Sequence, residues 1–362
     1  MERERAHLDS PFTEQSILVT GGTGTIGSEI VRQLLARRPR VLRIFSRDET
    51  KQALLRLELG DTSRIRFLLG DVRDRRRLHC ALEGIDTVFH AAALKHVPAC
   101  EYNPFEAVQT NVVGTENLIH ACRETGVKSL VYVSTDKAVN PANTMGATKL
   151  LAENLVRASQ EWNPRMSLSV VRFGNVLGSR GSLIPMLLGQ IEERREVELT
   201  SPQMTRFMMT IGDAVALVLE AVRASREGEL FILKMPALRV AELIEVFVEE
   251  VACRRGWDPA SIPIREVGVR PGEKIHEELV TEEESLRLEE RERMYVVPPR
   301  AEARPVRASS RTAAAFPAAC HSGRSELLTR QEIRALLERA HVLEALSPDA
   351  EAPLLRLEES LG

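Results

Sequence analysis

Residues 20–27 read Thr20-Gly21-Gly22-Thr23-Gly24-Thr25-Ile26-Gly27, directly after the apolar run 16–20 and at the start of the amphipathic segment 27–36. Glycines at such a junction allow a tight turn, and they let backbone N–H groups approach a pyrophosphate at the positive end of a helix. A strand, this loop and a helix in that order predict a dinucleotide-binding site. We expect contacts with the cofactor from Gly21, Thr23, Gly24, Thr25, Ile26 and Gly27.

Short β-like runs alternate with helical patterns along the first half of the chain. The runs are 16–20, 41–45, 66–69, 87–90, 129–134 and 167–173, and the helical segments include 103–125 and 147–160. This alternation predicts an α/β fold, a Rossmann-type doubly wound parallel sheet covered by helices. After residue 174 we recognise one more strand, 230–233, and a helix, 240–252, which indicate a smaller C-terminal domain.

The two predicted domains are interleaved along the chain. We assign residues 1–175 to the dinucleotide-binding domain, with a return segment near 208–235, and residues 176–207 and 236–362 to the substrate-binding domain. The segment 301–320 is rich in Ala, Arg, Ser and Pro without clear periodicity, and we expect it to be poorly ordered.

Composition excludes several classes of partner. A chain of 362 residues with a net charge of -3 can bury a sizeable core and gives no electrostatic case for binding nucleic acid or an anionic membrane. Without an apolar run of about 18 residues, we expect no membrane span. The five scattered cysteines indicate free thiols in a reducing, cytoplasmic compartment. His90 and His96 lack further ligands at metal spacing, so we predict no metal site.

The end of the second predicted strand carries the charges that choose between NAD and NADP. It reads Ser46-Arg47-Asp48, with Lys51 one turn further. A carboxylate there selects NAD, whereas arginine favours the 2′-phosphate of NADP. Arg47 and Lys51 suit a phosphate dianion, which favours NADP over NAD. Asp48 is still able to contact a ribose, and a solvated charge pair at a helix start is the structural alternative.

Asp71 and Val72 follow the third predicted strand and are placed to flank adenine. Helix capping by Asp71 is an equally simple explanation.

Residues 134–149 read Ser134-Thr135-Asp136-Lys137-Ala138-Val139-Asn140-Pro141-Ala142-Asn143-Thr144-Met145-Gly146-Ala147-Thr148-Lys149. The block begins where the fifth predicted strand ends, which is a usual place for functional side chains. Asp136 and Lys137 supply an acid and a base next to two hydroxyl groups. An exposed ion pair in a loop is the structural alternative.

Several blocks, in this order, resemble an extended short-chain dehydrogenase/reductase. They include the glycine loop, Ala91-Ala92-Ala93, Asn111 and residues 134–149. A narrower resemblance, to nucleotide-sugar 4,6-dehydratases that act on UDP-N-acetylglucosamine, covers about residues 16–298. It rests on Ala93-Leu94-Lys95-His96-Val97-Pro98, Ser134-Thr135-Asp136-Lys137, the run 172–182 (RFGNVLGSRGS), Met204-Thr205-Arg206-Phe207 and Arg270-Pro271-Gly272-Glu273-Lys274. It implies cofactor contacts from Ala91, Ala92, Ala93, Lys95, Asn111 and Lys149.

One position departs from the usual pattern of the superfamily, which carries Tyr-x-x-x-Lys. Position 145 is Met, with Lys149 four residues later, so the usual tyrosine base is absent. A branch of the dehydratases is similar in this respect. We therefore expect an active dehydratase in which the base has changed, with Met145 shaping the pocket.

The resemblance implies a sequence of oxidation at sugar C4, elimination of water across C5 and C6, and reduction at C6. Lys137 is the candidate base for the C5 proton, and Asp136 is the acid that protonates the departing C6 hydroxyl group. Ser134 and Thr135 are expected to hydrogen-bond the C4 oxygen. A lysine base near neutral pH requires burial or a nearby cation, for which Lys149 is the candidate.

The second half of the chain is expected to hold a UDP-sugar. Arg206 and Arg270 have the planar fork that suits a diphosphate. Asn175 is assigned to the sugar or a phosphate, Glu273 to hydroxyl groups of the ribose or the sugar, and Ser182 to the base. Lys95 and Arg180 are expected near the phosphates or at the mouth of the active site. For each of these residues a solvated or capping role is the alternative.

Two other functions stay open at this point. A regulator that binds NADP without catalysis would explain the missing tyrosine, and an epimerase or a dehydratase of another nucleotide sugar would explain the motifs. The configuration at C5 of the product is not fixed by these motifs. The segments 103–125 and 147–160 are similar to the helices through which this superfamily commonly pairs, so we expect a homo-oligomer.

Overall fold

The structure is a computed structural model that describes residues 11–60, 62–179, 181–299 and 316–346. These residues divide into two compact units. The first contains those within Met1–Arg172, Val215–Leu233 and Leu286–Arg311, and the second those within Phe173–Ala214, Lys234–Ser285 and Thr312–Gly362. Whether the units divide cofactor binding from substrate binding, as predicted, stays a prediction.

The strands of the described residues are β1 (Ser16–Thr20), β2 (Val41–Ser46), β3 (Ile65–Leu69), β4 (Thr87–His90), β5 (Ser129–Val133), β6 (Ser167–Arg172), β7 (Asn175–Val176), β8 (Val197–Leu199), β9 (Thr205–Met209), β10 (Leu230–Leu233), β11 (Ala237–Arg239), β12 (Ile264–Glu266), β13 (Glu289–Glu290) and β14 (Met294–Val297).

The α-helices of the described residues are α1 (Thr25–Leu35), α2 (Glu49–Leu59), α3 (Arg75–Leu82), α4 (Val97–Tyr102), α5 (Pro104–Ala107), α6 (Gly114–Thr125), α7 (Thr144–Ala158), α8 (Leu183–Arg194), α9 (Ile211–Ala224), α10 (Val240–Arg255), α11 (Glu282–Ser285) and α12 (Arg330–Arg339).

The first unit is built on a nine-stranded sheet with the order β13-β14-β10-β6-β5-β4-β1-β2-β3. Neighbouring strands from β10 to β3 run parallel, while β14 and β13 add an antiparallel edge. All five residues of β1 are buried, as expected for a strand covered on both faces. The predicted doubly wound parallel sheet is confirmed. Its strand order reverses between β1 and β4, where such folds bind ligands.

The predicted helix 103–125 is interrupted. It begins at Pro104 as α5, widens into a π-helical stretch, Val108–Val113, and continues as α6. The predicted helix 147–160 is α7, which begins three residues earlier because the Asn143 side chain accepts a hydrogen bond from the Gly146 N–H at 2.8 Å. Such a cap satisfies a backbone donor that the first turn leaves without a partner.

The second unit contains two small sheets, with the orders β11-β9-β7 and β12-β8. Its core packs residues of α8, α10 and α12, among them Leu187, Ile191, Leu243, Phe247 and Leu336. After residue 174 only β10, which belongs to the first unit, and α10 were predicted, so most of the second unit was missed. Strands of two to five residues are too short to show a period of their own, and they pair with partners that are distant in the sequence.

Part of the segment 301–320 contradicts the expectation of poor order. Residues 301–315 lie outside the described residues, but Ala318–Cys320 forms a 3₁₀ turn. Cys320 is buried there, and its carbonyl accepts a hydrogen bond from the Leu279 N–H at 2.9 Å. These contacts order the end of the segment.

All five cysteines are free thiols, as predicted. Of the helices in the described ranges, none has the length and apolar character needed to cross a membrane.

Candidate active site

A groove of about 260 Å³ opens in the first unit where the loops after β1, β2, β3 and β4 meet. Twelve of the predicted cofactor residues line it: Gly21, Thr23, Gly24, Ser46, Arg47, Asp48, Lys51, Asp71, Val72, Ala91, Ala92 and Ala93. Four further residues line it that were not predicted: Phe45, Gly70, Leu94 and Thr110. The remaining predicted residues, Thr25, Ile26 and Gly27 in the first turn of α1, and Lys95, Asn111 and Lys149, are not among the lining residues.

The glycines of the first loop fit a dinucleotide for steric reasons. Gly21 has a φ of +67°, and a Cβ atom there would lie 2.7 Å from the backbone of Ala92. A Cβ atom at Gly27 would lie 2.2 Å from the Gly21 carbonyl oxygen. At Gly24 the nearest atom, also that carbonyl oxygen, is 3.2 Å away. The loop therefore lies tightly against its neighbours, and its open side at Gly24 and the first turn of α1 fits a pyrophosphate.

The predicted phosphate-binding cations already face carboxylates. Arg47 lies 3.7 Å from Asp71, and Lys51 lies 3.2 Å from Asp48, which also caps α2. Burial alone would raise the pKa of Asp71, but hydrogen bonds from Arg73 and the charge of Arg47 outweigh it, and its pKa lies below the ordinary value. About half of each cationic side chain is exposed. A ligand phosphate at this place would have two cations within reach.

The polar cluster after β5 forms a 3₁₀ turn, Asp136–Ala138. Asp136 is fully buried, and its Oδ1 accepts hydrogen bonds from Thr135 Oγ1 at 2.9 Å and Lys137 Nζ at 3.0 Å. Its Oδ2 and the Ser134 hydroxyl group are also buried, but have no partner among the described residues. Because buried polar atoms are nearly always hydrogen-bonded, these two mark a place for polar groups of a ligand.

Gly146 fixes the 3₁₀ turn against α7. A Cβ atom at this position would lie 2.2 Å from the Lys137 carbonyl oxygen, so any other residue would push the turn away from the helix. The Asp136–Lys137 pair is therefore held by backbone contact as well as by its own hydrogen bond.

Lys149 and Met145 occupy different environments on α7. Lys149 is buried, and its Nζ donates a 2.6 Å hydrogen bond to the Val133 carbonyl and lies 4.1 Å from the centre of the Tyr132 ring. Burial lowers the pKa of Lys149 to about 7, against an opposing effect of the Glu153 carboxylate. Met145 packs in an apolar cluster with Cys100 and Ala107.

Asn111 anchors the loop after β4. Its side chain accepts a 2.8 Å hydrogen bond from the Leu94 N–H and donates to the Leu94 carbonyl and Thr148 Oγ1, each at 3.0 Å. This buried amide in the π-helical stretch thus positions a loop of the groove. Lys95, next in that loop, is exposed.

His90, at the end of β4, has a structural role. Its two ring nitrogens bond the hydroxyl groups of Thr20 at 2.7 Å and Thr115 at 3.0 Å. Burial, and secondarily the charge of Lys149, lowers the pKa of His90 to about 3, so the ring is neutral at physiological pH. Among the described residues, no group of three or more His, Cys, Asp or Glu side chains is arranged to hold a metal ion.

In the second unit, Arg206 is engaged with the backbone. Its Nη1 donates to the carbonyls of Thr205 and Ile275 at 2.8 and 3.2 Å, and its Nη2 to that of Lys274 at 2.9 Å. Its Nε also lies 3.8 Å from the Glu277 carboxylate, so Arg206 holds the segment 274–277. Its contact with a diphosphate stays a prediction. Arg270 is half exposed and lies 3.6 Å from Glu198.

Two other predicted residues of this unit carry buried atoms with no partner among the described residues. One is Oε2 of Glu273, in the turn after Arg270. The other is the hydroxyl group of Ser182, which precedes α8 without capping it by its side chain. Asn175 begins β7. Arg180 lies outside the described residues.

The lysines themselves are a signal that our sequence reasoning overlooked. Of the 49 basic residues only seven are lysines, at positions 51, 95, 128, 137, 149, 234 and 274. Arginine therefore supplies most of the positive charge of this chain. Four of the seven, Lys51, Lys95, Lys137 and Lys149, stand at predicted site positions. Lysine can lose its proton near neutral pH when buried and arginine cannot, so a buried lysine in such a chain, here Lys149, points to acid/base chemistry.

Comparison with known proteins places the chain among sugar-nucleotide enzymes. The family model described as "Polysaccharide biosynthesis protein" matches residues 17–299. A protein of Methanocaldococcus jannaschii named as an uncharacterized membrane protein is 53% identical over 290 residues, which cover 80% of this chain and 87% of that one. A UDP-glucose 4-epimerase of Rickettsia bellii is 40% identical over 293 residues, 79% and 84% of the two chains.

Two solved structures are also similar. Pen from Bacillus thuringiensis superposes with a TM-score of 0.84 at 42% identity, covering 92% of this chain and 99% of Pen. The dTDP-glucose 4,6-dehydratase DesIV from Streptomyces venezuelae, solved with NAD bound, superposes with a TM-score of 0.65 at 25% identity, covering 72% and 86% of the two chains.

Proposed function

The chain belongs to the polysaccharide biosynthesis protein family, among the nucleotide-sugar dehydratases and epimerases of the extended short-chain dehydrogenase/reductase type, and we propose that it is a UDP-N-acetylglucosamine 4,6-dehydratase. The observation that carries the proposal is the Asp136–Lys137 pair at the end of β5, bonded at 3.0 Å, in which Asp136 is fully buried and Lys137 reaches solvent. Water elimination needs an acid and a base side by side, and hydride transfer alone does not.

The residues around this pair have distinct roles in the proposed reaction. When bound, a nicotinamide dinucleotide supplies the acceptor for hydride from sugar C4 and the donor for its return to C6. With the proton of the pair on Asp136, the neutral Lys137 amine takes the proton from C5, which the C4 carbonyl has made acidic, and later returns it. Asp136 gives its proton to the departing C6 hydroxyl group, which leaves as water. The hydroxyl groups of Ser134 and Thr135 hold the C4 oxygen.

The cofactor of the proposed reaction is NADP. Arg47 and Lys51 line the groove and provide two cations for a 2′-phosphate, and the glycine loop receives the pyrophosphate. Asp48 caps α2 and forms an ion pair with Lys51, so it is less suited to bind the ribose hydroxyl groups of NAD. The neighbour DesIV, in contrast, was solved with NAD, so cofactor choice needs its own measurement.

The proposed substrate contacts come mainly from the second unit. Glu273 and Ser182 each bury an oxygen that has no partner among the described residues, and each suits a sugar, ribose or base group. Arg270, half exposed, suits the diphosphate. Arg206 supports these contacts through the segment that it holds. Asn175, Lys95 and Arg180 keep their assignments as proposals.

A nucleotide-sugar 4-epimerase is the second candidate, because relatives such as the one from Rickettsia bellii carry the name UDP-glucose 4-epimerase. An epimerase has no step that needs the Asp136–Lys137 pair, and we expect one to keep the tyrosine that Met145 replaces. These two features support the dehydratase.

One incubation separates the candidates. Purified protein is mixed with UDP-N-acetylglucosamine in D₂O without added cofactor, and the sugar is followed by NMR, with UDP-glucose as a parallel substrate. A dehydratase gives a 4-keto-6-deoxy sugar with a new methyl signal and deuterium at C5. An epimerase gives the C4 epimer without a methyl group. A protein that leaves both sugars unchanged contradicts both enzyme proposals.

We also propose that the protein is a homo-oligomer. Tyr102, Phe105 and Val108, at the end of α4, in α5 and in the π-helical stretch, are exposed by 89%, 84% and 39%, and Leu151 on α7 by 49%. Large apolar side chains this exposed on neighbouring helices favour burial against a second copy.

A further inference from the structure

A buried ion pair lies one turn along α7 from Lys149. Arg172, on β6, donates from Nε to Glu153 Oε1 at 3.1 Å and from Nη2 to Glu153 Oε2 at 2.5 Å. Arg172 is fully buried, and Glu153 nearly so. Desolvating two charges is costly, and such a pair adds little stability compared with apolar residues of the same volume. Its presence here therefore calls for a reason other than stability.

The geometry of the pair decides what Lys149 can do. Glu153 follows Lys149 by four residues, so their side chains share one face of α7. With no competitor, that carboxylate would pair with the lysine and hold its proton. The two-pronged bond to Arg172 instead occupies both carboxylate oxygens. Among the described residues, Lys149 has no ion pair, only the Val133 carbonyl and the face of Tyr132.

We propose that Arg172 is a positioning residue that holds the Glu153 carboxylate away from Lys149, so that Lys149 can exist as a neutral amine and serve as the base for the sugar C4 hydroxyl group. In that step the hydroxyl O–H bond breaks and the proton joins the lone pair of the Lys149 amine. Met145, at the position where the superfamily carries a tyrosine base, has no group that can do this. The use of the amine rests on the proposed function, but its ionisation does not.

The other groups that surround Lys149 are consistent with a neutral amine. His90 of β4 is neutral, and burial, with the Glu153 charge second, raises the pKa of Tyr132 of β5, so the tyrosine also carries no charge. In the 3₁₀ turn that packs on α7, Asp136 and Lys137 pair with each other. The lowered pKa of Lys149, about 7, fits an amine that changes its charge near physiological pH.

The protonation state of Lys149 can be measured by NMR, without any assay of enzyme activity. Because the chain has only seven lysines, protein labelled with ¹³C at lysine Cε gives few signals, and Lys149→Met assigns the relevant one. We expect its titration midpoint near pH 7. Glu153→Gln removes the carboxylate and should lower the midpoint. Arg172→Met frees the carboxylate to pair with Lys149 and should raise the midpoint by about one pH unit.

Two further variants keep the test decisive. The double variant Glu153→Gln/Arg172→Met removes both buried charges, and its midpoint should lie below that of the unaltered protein even when Arg172→Met alone does not fold. Glu58→Gln is the matched control. It breaks an exposed ion pair in which Arg32 also bonds both carboxylate oxygens, and it should leave the titration midpoint of Lys149 unchanged. A midpoint that stays fixed in the Glu153 and Arg172 variants, or that moves in the same direction in both single variants, overturns the proposal.

Activity measurements separate this inference from the proposed function. If the protein is the dehydratase, kcat/KM should rise with pH through the Lys149 midpoint, since the neutral amine is the active form. That rising limb should move to lower pH in Glu153→Gln and to higher pH in Arg172→Met. If the Lys149 signal shifts as expected but no sugar is dehydrated, the control of Lys149 by Arg172 and Glu153 is supported and the dehydratase proposal is refuted. If the protein dehydrates the sugar but the pH dependence of kcat/KM is the same in both variants as in the unaltered protein, the proposed control of Lys149 by Arg172 and Glu153 is refuted.

Discussion

Replacing Lys137 separates its structural role from its chemical one. The ammonium group lies 3.0 Å from the fully buried Asp136, while 26% of the Lys137 side chain is exposed. Lys137→Ala strands a buried carboxylate, which costs several kcal/mol when both partners are fully desolvated. Because the lysine reaches solvent, we expect a loss of about 2 kcal/mol in the free energy of unfolding. Loss of the general base should lower kcat by about 10²–10⁴-fold.

Lys137→Arg retains the charge but removes the base. A guanidinium group can still pair with Asp136, so the free energy of unfolding should change by less than about 1 kcal/mol. It cannot give up its proton at neutral pH, so kcat should fall as far as in Lys137→Ala. Urea unfolding measures the first quantity, and NMR in D₂O measures the second together with exchange of the C5 proton.

Two variants calibrate the experiment. Lys128→Ala removes an exposed lysine that precedes the other end of β5 and bonds Asp86 at 2.8 Å, and it should change neither quantity appreciably. Asp136→Asn should still exchange the C5 proton while water fails to leave, because the base remains and the acid is gone. Lys137→Arg that incorporates deuterium at C5 at nearly the rate of the unaltered protein would refute the assignment of Lys137 as the base.

Other measurements address the cofactor, the methionine and assembly. Arg47→Ala and Lys51→Ala should each weaken NADP⁺ binding by about 10-fold in calorimetry, since each removes one half-exposed partner of the 2′-phosphate. Binding of NAD⁺ should stay unchanged. Equal loss of affinity for both cofactors would contradict an NADP site. Met145→Ala should reduce turnover far less than Lys137→Ala, because a thioether accepts no proton, and complete loss of turnover would give the methionine a role that we do not assign. Phe105→Glu or Leu151→Glu should shift the protein towards monomer in light scattering, and a chain that is already monomeric at micromolar concentration would contradict the proposed interface.

The first unit could be predicted from the sequence because its signals are local. The runs 16–20, 87–90 and 230–233 coincide with β1, β4 and β10, since buried parallel strands are short uninterrupted apolar runs. The groove could be predicted from the glycine loop, because the turn and the backbone donors of that loop depend on residues that are neighbours in the chain. In contrast, β7, β8 and β9 pair with strands that are distant in the sequence, and no local pattern of residues predicts them.

Side-chain partnerships were the part of the site that the sequence did not reveal. Arg206 was expected to face a diphosphate, and nothing in the sequence indicated that its Nη atoms also donate to the carbonyls of residues 205, 274 and 275, two of which lie far from it in the chain. Arg172 was noted only as the first residue of the run 172–182, and Glu153 was not noted, because a charged residue in a strand or helix pattern gives no sign of being buried opposite another. Their meeting depends on β6 and α7 packing together.

The π-helical stretch Val108–Val113 makes this site sensitive to the number of residues as well as to their identity. Its wider turns accommodate one residue more than an α-helix would. Deleting one residue there would let the stretch close as a regular α-helix, and the helical turns on either side would keep nearly the same faces, because the wider turn has already absorbed the extra residue. The side chains inside the stretch would change direction, so Asn111 would lose its bonds to Leu94 while α6 keeps its face towards α3 and α7. A single-residue deletion here should therefore spare the packing of α6 and damage the groove, because it removes the anchor of the loop after β4.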